Sequence, residues 1–242
     1  MKEIIYNKVK FTSFNDKEFA KIIKKNGLFL FPSGPGLSDL KNSKKYHQSL
    51  MEADFNCFDS GLFVLLLRLF KGIRVNKFSG YKFLNFFFNH INQNKINKLL
   101  SIDPDNKISN INYTYLNKFK INKVYNYVAP IYNPDNLNDK KLIQKINLIK
   151  PNIILVNIGG GIQEILGLYI RNNLTYKAKI ICTGAAISFF TGQQAPINNL
   201  IDKLYLGWLF RIIFNPIIFL PRYIFSFKLA LHVLKTNIDL DK

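Results

Sequence analysis

The sequence predicts an α/β fold: a Rossmann-like, open and mostly parallel sheet flanked by helices, with a helical appendage at the C-terminal end. Apolar runs of strand length alternate with longer periodic segments, the pattern of parallel strands joined by helical crossovers. Two of those runs, Ile153–Ile158 and Ala178–Cys182, are strongly apolar and end in glycines, as buried parallel strands do. A chain of 242 residues that is 48% hydrophobic has ample material for a core and little room for disorder.

In order along the chain, Gly27–Phe31 reads as a strand and Ser38–Ala53 as a helix with Ser38 as its N-cap. Gly61–Leu69 is an apolar helix and Tyr81–Gln93 another, followed by a short strand at Lys98–Ile102. Asn110–Phe119 reads as helix, Lys123–Val128 as strand, and Leu137–Ile149 as a helix stopped by Pro151. The two buried strands at Ile153 and Ala178 close this α/β unit, which spans residues 1–200. Residues 201–242 form the appendage, where Pro216 and Pro221 predict helix, break, helix. Between Leu204 and Leu234 the aromatic residues Trp208, Phe210, Phe214, Phe219, Tyr223, Phe225 and Phe227 interleave with Arg211, Arg222 and Lys228. That mixture suits a headgroup interface; it also suits a packing helix with solvated charges.

The formal net charge of +19 fits an anionic partner, such as nucleic acid, an anionic membrane face or a phosphorylated substrate. It also follows from the kind of composition AT-rich coding produces, in which Lys, Asn, Ile, Phe and Tyr all run high. Cys57 and Cys182 lie in apolar surroundings without a CxxC pattern, and read as reduced core thiols of a cytosolic protein. The N-terminal residues have no continuous apolar stretch of the signal-peptide kind, and no segment reaches the length of a spanning helix. His47, His90 and His232 sit at no ligand or triad spacing, and Ser60 is not in a GxSxG elbow. Asp103-Pro104-Asp105 formally satisfies DxD, but Asp-Pro-Asp-Asn is also good turn and N-cap chemistry, and it is read that way here.

Ligands of open α/β sheets bind beyond the C-terminal ends of the strands, where backbone N–H groups and helix N-termini face a crevice. Gly159, Gly160, Gly161 and Gly184 stand at such ends and would let a nucleotide approach closely. They form neither a GxGxxG fingerprint nor a Walker A loop. Gln163 and Glu164 open the next helix. The amide can donate to and accept from hydroxyls, and the carboxylate can hold them or simply favour a first helical turn.

Three segments carry a family resemblance: IILVNIGGGIQE, IICTGAAISFFTGQQAP and GWLFRIIFNPIIFLPRY. They resemble the C-terminal half of the WecG/TagA/CpsF glycosyltransferases, which add an N-acetylmannosamine-type sugar to a lipid-linked acceptor. Upstream, Phe58-Asp59-Ser60-Gly61, the apolar helix through Gly72 and the turn Asn76-Lys77-Phe78-Ser79-Gly80 fit more weakly, so that the likeness covers about residues 25 to 236.

The resemblance implies an inverting enzyme that takes a UDP-sugar and a polyprenyl-diphosphate-linked acceptor to build a surface polysaccharide or wall polymer. In that reading Asp59 is the general base, against the alternative that it caps the helix from Gly61, and Asp54 is the fallback. Substrate contacts fall to Ser33, Gly159, Gly160, Gly161, Gln163, Glu164 and Gly184, with Arg211 and Arg222 on the diphosphate. No metal or other cofactor is expected. The appendage would close over the site and touch an anionic membrane surface, giving a cytoplasmic protein peripheral on the inner face. Its apolar excess also fits a homo-oligomer. Departures include Gln194 for an Arg, Ser188 for an Asp, Tyr81 for an acidic residue, and Phe31-Pro32-Ser33 for Thr-x-Asn. They fit a different donor or a divergent member with lost activity. A basic nucleic-acid-binding protein is the remaining alternative, without an RNP, KH or zinc-finger signature to support it.

Overall fold

A computed structural model describes residues 1–93, 96–194, 205 and 207–241. Its centre is a nine-stranded sheet in the order β6-β5-β7-β8-β3-β4-β2-β1-β9. The parallel part comprises β2 (Val9–Ser13), β3 (Gly27–Leu30), β4 (Phe55–Cys57), β5 (Ile96–Asp103), β6 (Ile121–Val128), β7 (Ile153–Val156) and β8 (Lys179–Cys182). At one edge β1 (Lys2–Tyr6) runs antiparallel to β2, and β9 (Ile238–Asp241) antiparallel to β1.

The central strands bury both faces, so alternate residues enter two different cores. Leu28, Leu30, Ile154, Val156 and Ile180 join the core beneath α3 (Lys44–Glu52), α4 (Gly61–Lys71), α7 (Lys140–Ile149) and α8 (Ile162–Asn173). Phe29, Phe31, Leu155 and Ile181 join the other, covered by α1 (Asp16–Ile22), α5 (Gly80–Gln93) and α6 (Asn106–Leu116). This second core is built largely of phenylalanine, with Phe19 against Phe78 at 4.2 Å and Phe29 stacked on Phe55 at 4.7 Å.

Several expectations shift in detail. The segment expected as one helix from Ser38 is two: a single turn α2 (Gly34–Ser38) capped by Ser33, then α3 capped by Ser43. Ser38 therefore ends a helix, its Oγ donating to the Pro35 carbonyl at 2.7 Å. The helix expected at Asn110 starts four residues earlier because Asp105 Oδ1 accepts the Ile108 N–H at 2.8 Å. Residues 2–13, for which no element is expected above, form a hairpin. Its two-residue turn, Asn7-Lys8, has both φ values positive (48° and 66°), the backbone twist that matches a tight hairpin.

The C-terminal residues form α9 (Gly207–Phe214), α10 (Pro216–Ser226) and α11 (Lys228–Lys235) before returning to the sheet at β9. A break does fall at Asn215-Pro216, but Pro221 lies inside α10 and does not end it. Leu229 and Val233 of α11 are fully buried in the first core. Among the described residues no helix is long and apolar enough to cross a membrane.

Candidate active site

A cavity of about 500 Å³ opens at the C-terminal ends of β3, β4, β7 and β8. β3 leads outward to β4, whereas its other neighbour, β8, arrives from β7 on the opposite side, so the loops after β3 and β8 diverge and leave a crevice. Ser33 and Gly34 come from the first loop, Asp59 and Ser60 from the second, Gly159, Gly160 and Gln163 from the third, Thr183 and Gly184 from the fourth. Tyr205, Gly207 and Tyr223 close it from the C-terminal segment.

Asp59 does not cap α4. Ser60 does, its Oγ accepting the Phe63 N–H at 3.2 Å. Asp59 instead turns to the start of α5, where its Oδ1 accepts the Gly80 N–H at 2.8 Å. Asp54 directly precedes β4, at the opposite end of the strand, and does not line the cavity. Its Oδ2 accepts the Leu28 N–H at 2.8 Å and lies 3.5 Å from Arg171.

The glycines pack the loops closely. A methyl group on Gly34 would stand 3.0 Å from Ser60 Oγ, and one on Gly160 3.6 Å from Ser33 Oγ, so the β3 loop meets both its neighbours here. Gly184 has φ of +59°, and a Cβ there would lie 3.3 Å from the Gln163 carboxamide nitrogen. Ser33 also caps α2, its Oγ accepting the Gly36 N–H at 3.4 Å.

Gly161 and Glu164, both expected above to touch ligand, do not line the cavity. Gly161 is the N-cap of α8, at φ +92°, and its N–H donates to Glu164 Oε2 at 2.7 Å. Glu164 Oε1 accepts from Gln163 Nε2 at 3.1 Å. Burial pushes the Glu164 carboxyl up to about 7, the hydrogen bonds from its own backbone, Gly161 and Gln163 pull it down, and the negative charge of Asp59 adds to the rise.

Arg211 and Arg222 belong to α9 and α10, but their side chains lie outside the described residues, as do Ala195 and Pro196. Sequence reasoning passed over Lys77 and Thr183, which line the cavity. Lys77 lies 5.8 Å from the ring centre of Tyr205, and the resemblance of the Asn76–Gly80 turn is the signal that could have found it. Tyr81, noted above only as a departure, also lines the cavity and stacks on Phe190 at 5.0 Å. Gln194 lines it too, whereas Ser188 is buried behind it. Of the Asp103-Pro104-Asp105 stretch read above as turn and N-cap, Asp105 does cap α6, whereas Asp103 ends β5, fully buried and accepting from Ser101, Asn112 and Asn157 at 2.7–3.0 Å. Among the described residues no three His, Cys, Asp or Glu side chains gather as a metal site.

A mostly parallel sheet with Asp59, Lys77, Gln163 and Thr183 gathered around a cavity beyond its C-terminal strand ends defines a Rossmann-like α/β protein with a polar ligand site. The model of the glycosyl transferase WecG/TagA/CpsF family matches residues 5–242, and the chain belongs to that family. The match takes in the β1–β2 hairpin turn and β9 as well as the three segments that carry the resemblance. No curated protein matches the chain.

Proposed function

We propose that the protein is an inverting glycosyltransferase of cell-surface polymer synthesis, moving an N-acetylhexosamine-type sugar from a UDP-sugar to a polyprenyl-diphosphate-linked acceptor. N-acetylmannosamine or its uronic acid is the sugar that the family resemblance favours. The position of Asp59 supports this reading most directly: a carboxylate on the cavity wall whose helix-capping task is done by its neighbour Ser60. Asp59 takes the proton from the acceptor hydroxyl as that oxygen attacks the anomeric carbon. The bond to the diphosphate breaks on the opposite face, and UDP leaves with its charge met by Lys77, Arg211, Arg222 and the backbone N–H groups of the glycine-rich strand ends. This reading uses no metal. The enzyme works at the inner face of the membrane, where its C-terminal helices meet the lipid that carries the acceptor.

Calorimetric titration with UDP and a panel of UDP-N-acetylhexosamines, with and without EDTA, tests it. Micromolar UDP binding that survives EDTA supports a metal-independent sugar-nucleotide site. Absence of binding by every UDP species, alongside salt-sensitive binding of oligonucleotides, overturns it in favour of a nucleic-acid role.

A further inference from the structure

Two side chains on the cavity wall keep polar atoms that no group among the described residues satisfies. Gln163 is 3% exposed and Thr183 8%, and neither Gln163 Oε1 nor Thr183 Oγ1 has a hydrogen-bond partner. They stand on adjoining loops: Gly184 follows Thr183, and its Cα faces the Gln163 carboxamide. Buried acceptors are ordinarily paired, and one left unpaired in the wall of a cavity is satisfied by what enters it.

The orientation of that carboxamide is not free. An ionised carboxylate only accepts, so Glu164 Oε1 selects the NH₂ end of Gln163 and turns the carbonyl end away. Glu164 Oε2 is in turn fixed by the Gly161 N–H. Resting on the reading of this cavity as the glycosyl-transfer site, we infer that Glu164 is a positioning residue that presents Gln163 Oε1 as an acceptor, and that with Thr183 Oγ1 it forms a subsite for a hydroxyl or N–H group of the sugar nucleotide and not for its phosphates.

An oxygen acceptor repels phosphate oxygens and accepts from a hydroxyl or amide N–H, whereas the Thr183 hydroxyl can do either. The diphosphate is therefore bound elsewhere in the cavity, toward Lys77. A proton on Glu164 Oε1 reverses the arrangement: the carboxyl becomes a donor, the amide turns its carbonyl to it, and the wall presents NH₂ instead. The charged and titratable groups around Glu164 are Asp59 from the β4–α4 turn, Tyr46 of α3 and Cys182 of β8, with Lys77 on the same cavity. Among these groups Glu164, whose carboxyl burial pushes up to about 7, is the one hydrogen-bonded to Gln163.

The decisive experiment follows the side-chain NH₂ signals of Gln163 by NMR in the ligand-free protein, identified by their absence in Gln163→Ala. They are expected to shift with a midpoint near pH 7, and to stay fixed in Glu164→Gln. A signal indifferent to pH, or one that titrates equally in Glu164→Gln, overturns the positioning role. Calorimetry with UDP-N-acetylglucosamine as probe then reads the subsite. Affinity should fall about tenfold per unit below pH 7 in the wild type, and be at least tenfold weaker and pH-independent in Glu164→Gln. In Gln163→Ala the Glu164→Gln change should add nothing further, and Thr183→Val should cost about tenfold. Additive losses in the double variant would show that Glu164 acts only as a helix cap. A wild type that binds no sugar nucleotide removes the functional reading and the subsite with it, while the NMR result still decides what Glu164 does to Gln163.

Discussion

The Asp59 carboxylate and the Gly80 backbone N–H, 21 residues apart in sequence, are joined at 2.8 Å across the floor of the cavity. The contact ties the turn after β4 to the first turn of α5 and fixes one carboxylate oxygen. Asparagine keeps an oxygen that can accept the same N–H but cannot take a proton from an acceptor hydroxyl. Asp59→Asn should therefore bind UDP as the wild type does and lose about 10²–10⁴-fold in transfer rate, the usual contribution of a general base. Radiolabelled sugar transfer to a lipid-linked acceptor measures it, and transfer retained within threefold would remove Asp59 as the base.

Tyr46 of α3 is buried against Gly36, where an added methyl group would stand 2.5 Å from the phenolic oxygen. That oxygen has no hydrogen-bond partner among the described residues, and burial together with the charges of Glu164, Asp59 and Asp39 pushes its ionisation well up. Removing an orphaned hydroxyl relieves its desolvation. Tyr46→Phe should raise stability by about 1 kcal/mol, or roughly 2–4 °C in Tm for a chain of this size. Gly36→Ala should destabilise, and do so less in the Tyr46→Phe background. Thermal melts of the four proteins form the cycle, and equal effects of Gly36→Ala in both backgrounds would contradict the contact.

The strands that carry the site were legible because β7 and β8 are buried on both faces and so read as apolar runs, and because their ends are glycines. Asp59 was legible only through the pattern around it, since a carboxylate before an apolar helix is equally a cap. What decides between the two is Ser60, one residue on, whose Oγ takes the N–H that a cap must take. Ser33, Ser38 and Ser43 pose the same problem with the opposite result: each could open a helix, and the serine preceding Gly34-Pro35 competes with one five residues later. Thr183 has no local signature, and Lys77 has only the resemblance of the turn that holds it. They reach the cavity because α5 packs against the turn after β8, where a Cβ on Gly80 would stand 3.1 Å from that of Thr183, and such a contact is set by the tertiary fold. The hairpin escaped notice because Asn7-Lys8 lacks the glycine that usually marks a two-residue turn.

Two buried charges pull stability in opposite directions with pH. Glu164 is held at about 7, above the ordinary 4.5, so between those values the folded chain binds more protons than the unfolded one, and acidification through this window stabilises it. Lys179, whose ammonium donates to the Ile23 carbonyl, is held by burial at about 8, below the ordinary 10.5. There the unfolded chain binds more protons, so stability rises as pH goes from 8 to 10.5. Both groups are charged between 7 and 8, where burial costs most. Lys179→Met should flatten the alkaline rise by on the order of 2–3 kcal/mol relative to wild type. Melting curves of the two proteins from pH 7 to 10.5 that run parallel would show that Lys179 does not titrate as described.

The C-terminal helices present apolar side chains to solvent on several consecutive turns. Ile213 is 68% exposed, Ile217 87%, Ile224 58% and Phe227 60%, and Leu69 of the neighbouring α4 is 74% exposed. An isolated leucine or isoleucine on a surface needs no account, but a succession of them along α9 and α10 to Phe227 exceeds what a monomer in water ordinarily shows. Each such side chain gains about 1.5–3 kcal/mol on full transfer out of water, and a protein of net charge +19 adds attraction to anionic headgroups. In sedimentation with phosphatidylglycerol vesicles, the protein should partition strongly at low salt and less at 0.5 M. Replacing Ile213, Ile217 and Phe227 together by serine should weaken partitioning at least tenfold at either salt, because the apolar contribution is not screened. If the triple variant instead partitions like the wild type and the wild type runs as a dimer that the substitutions dissociate, the exposed row is a subunit contact and the membrane role of these helices is lost.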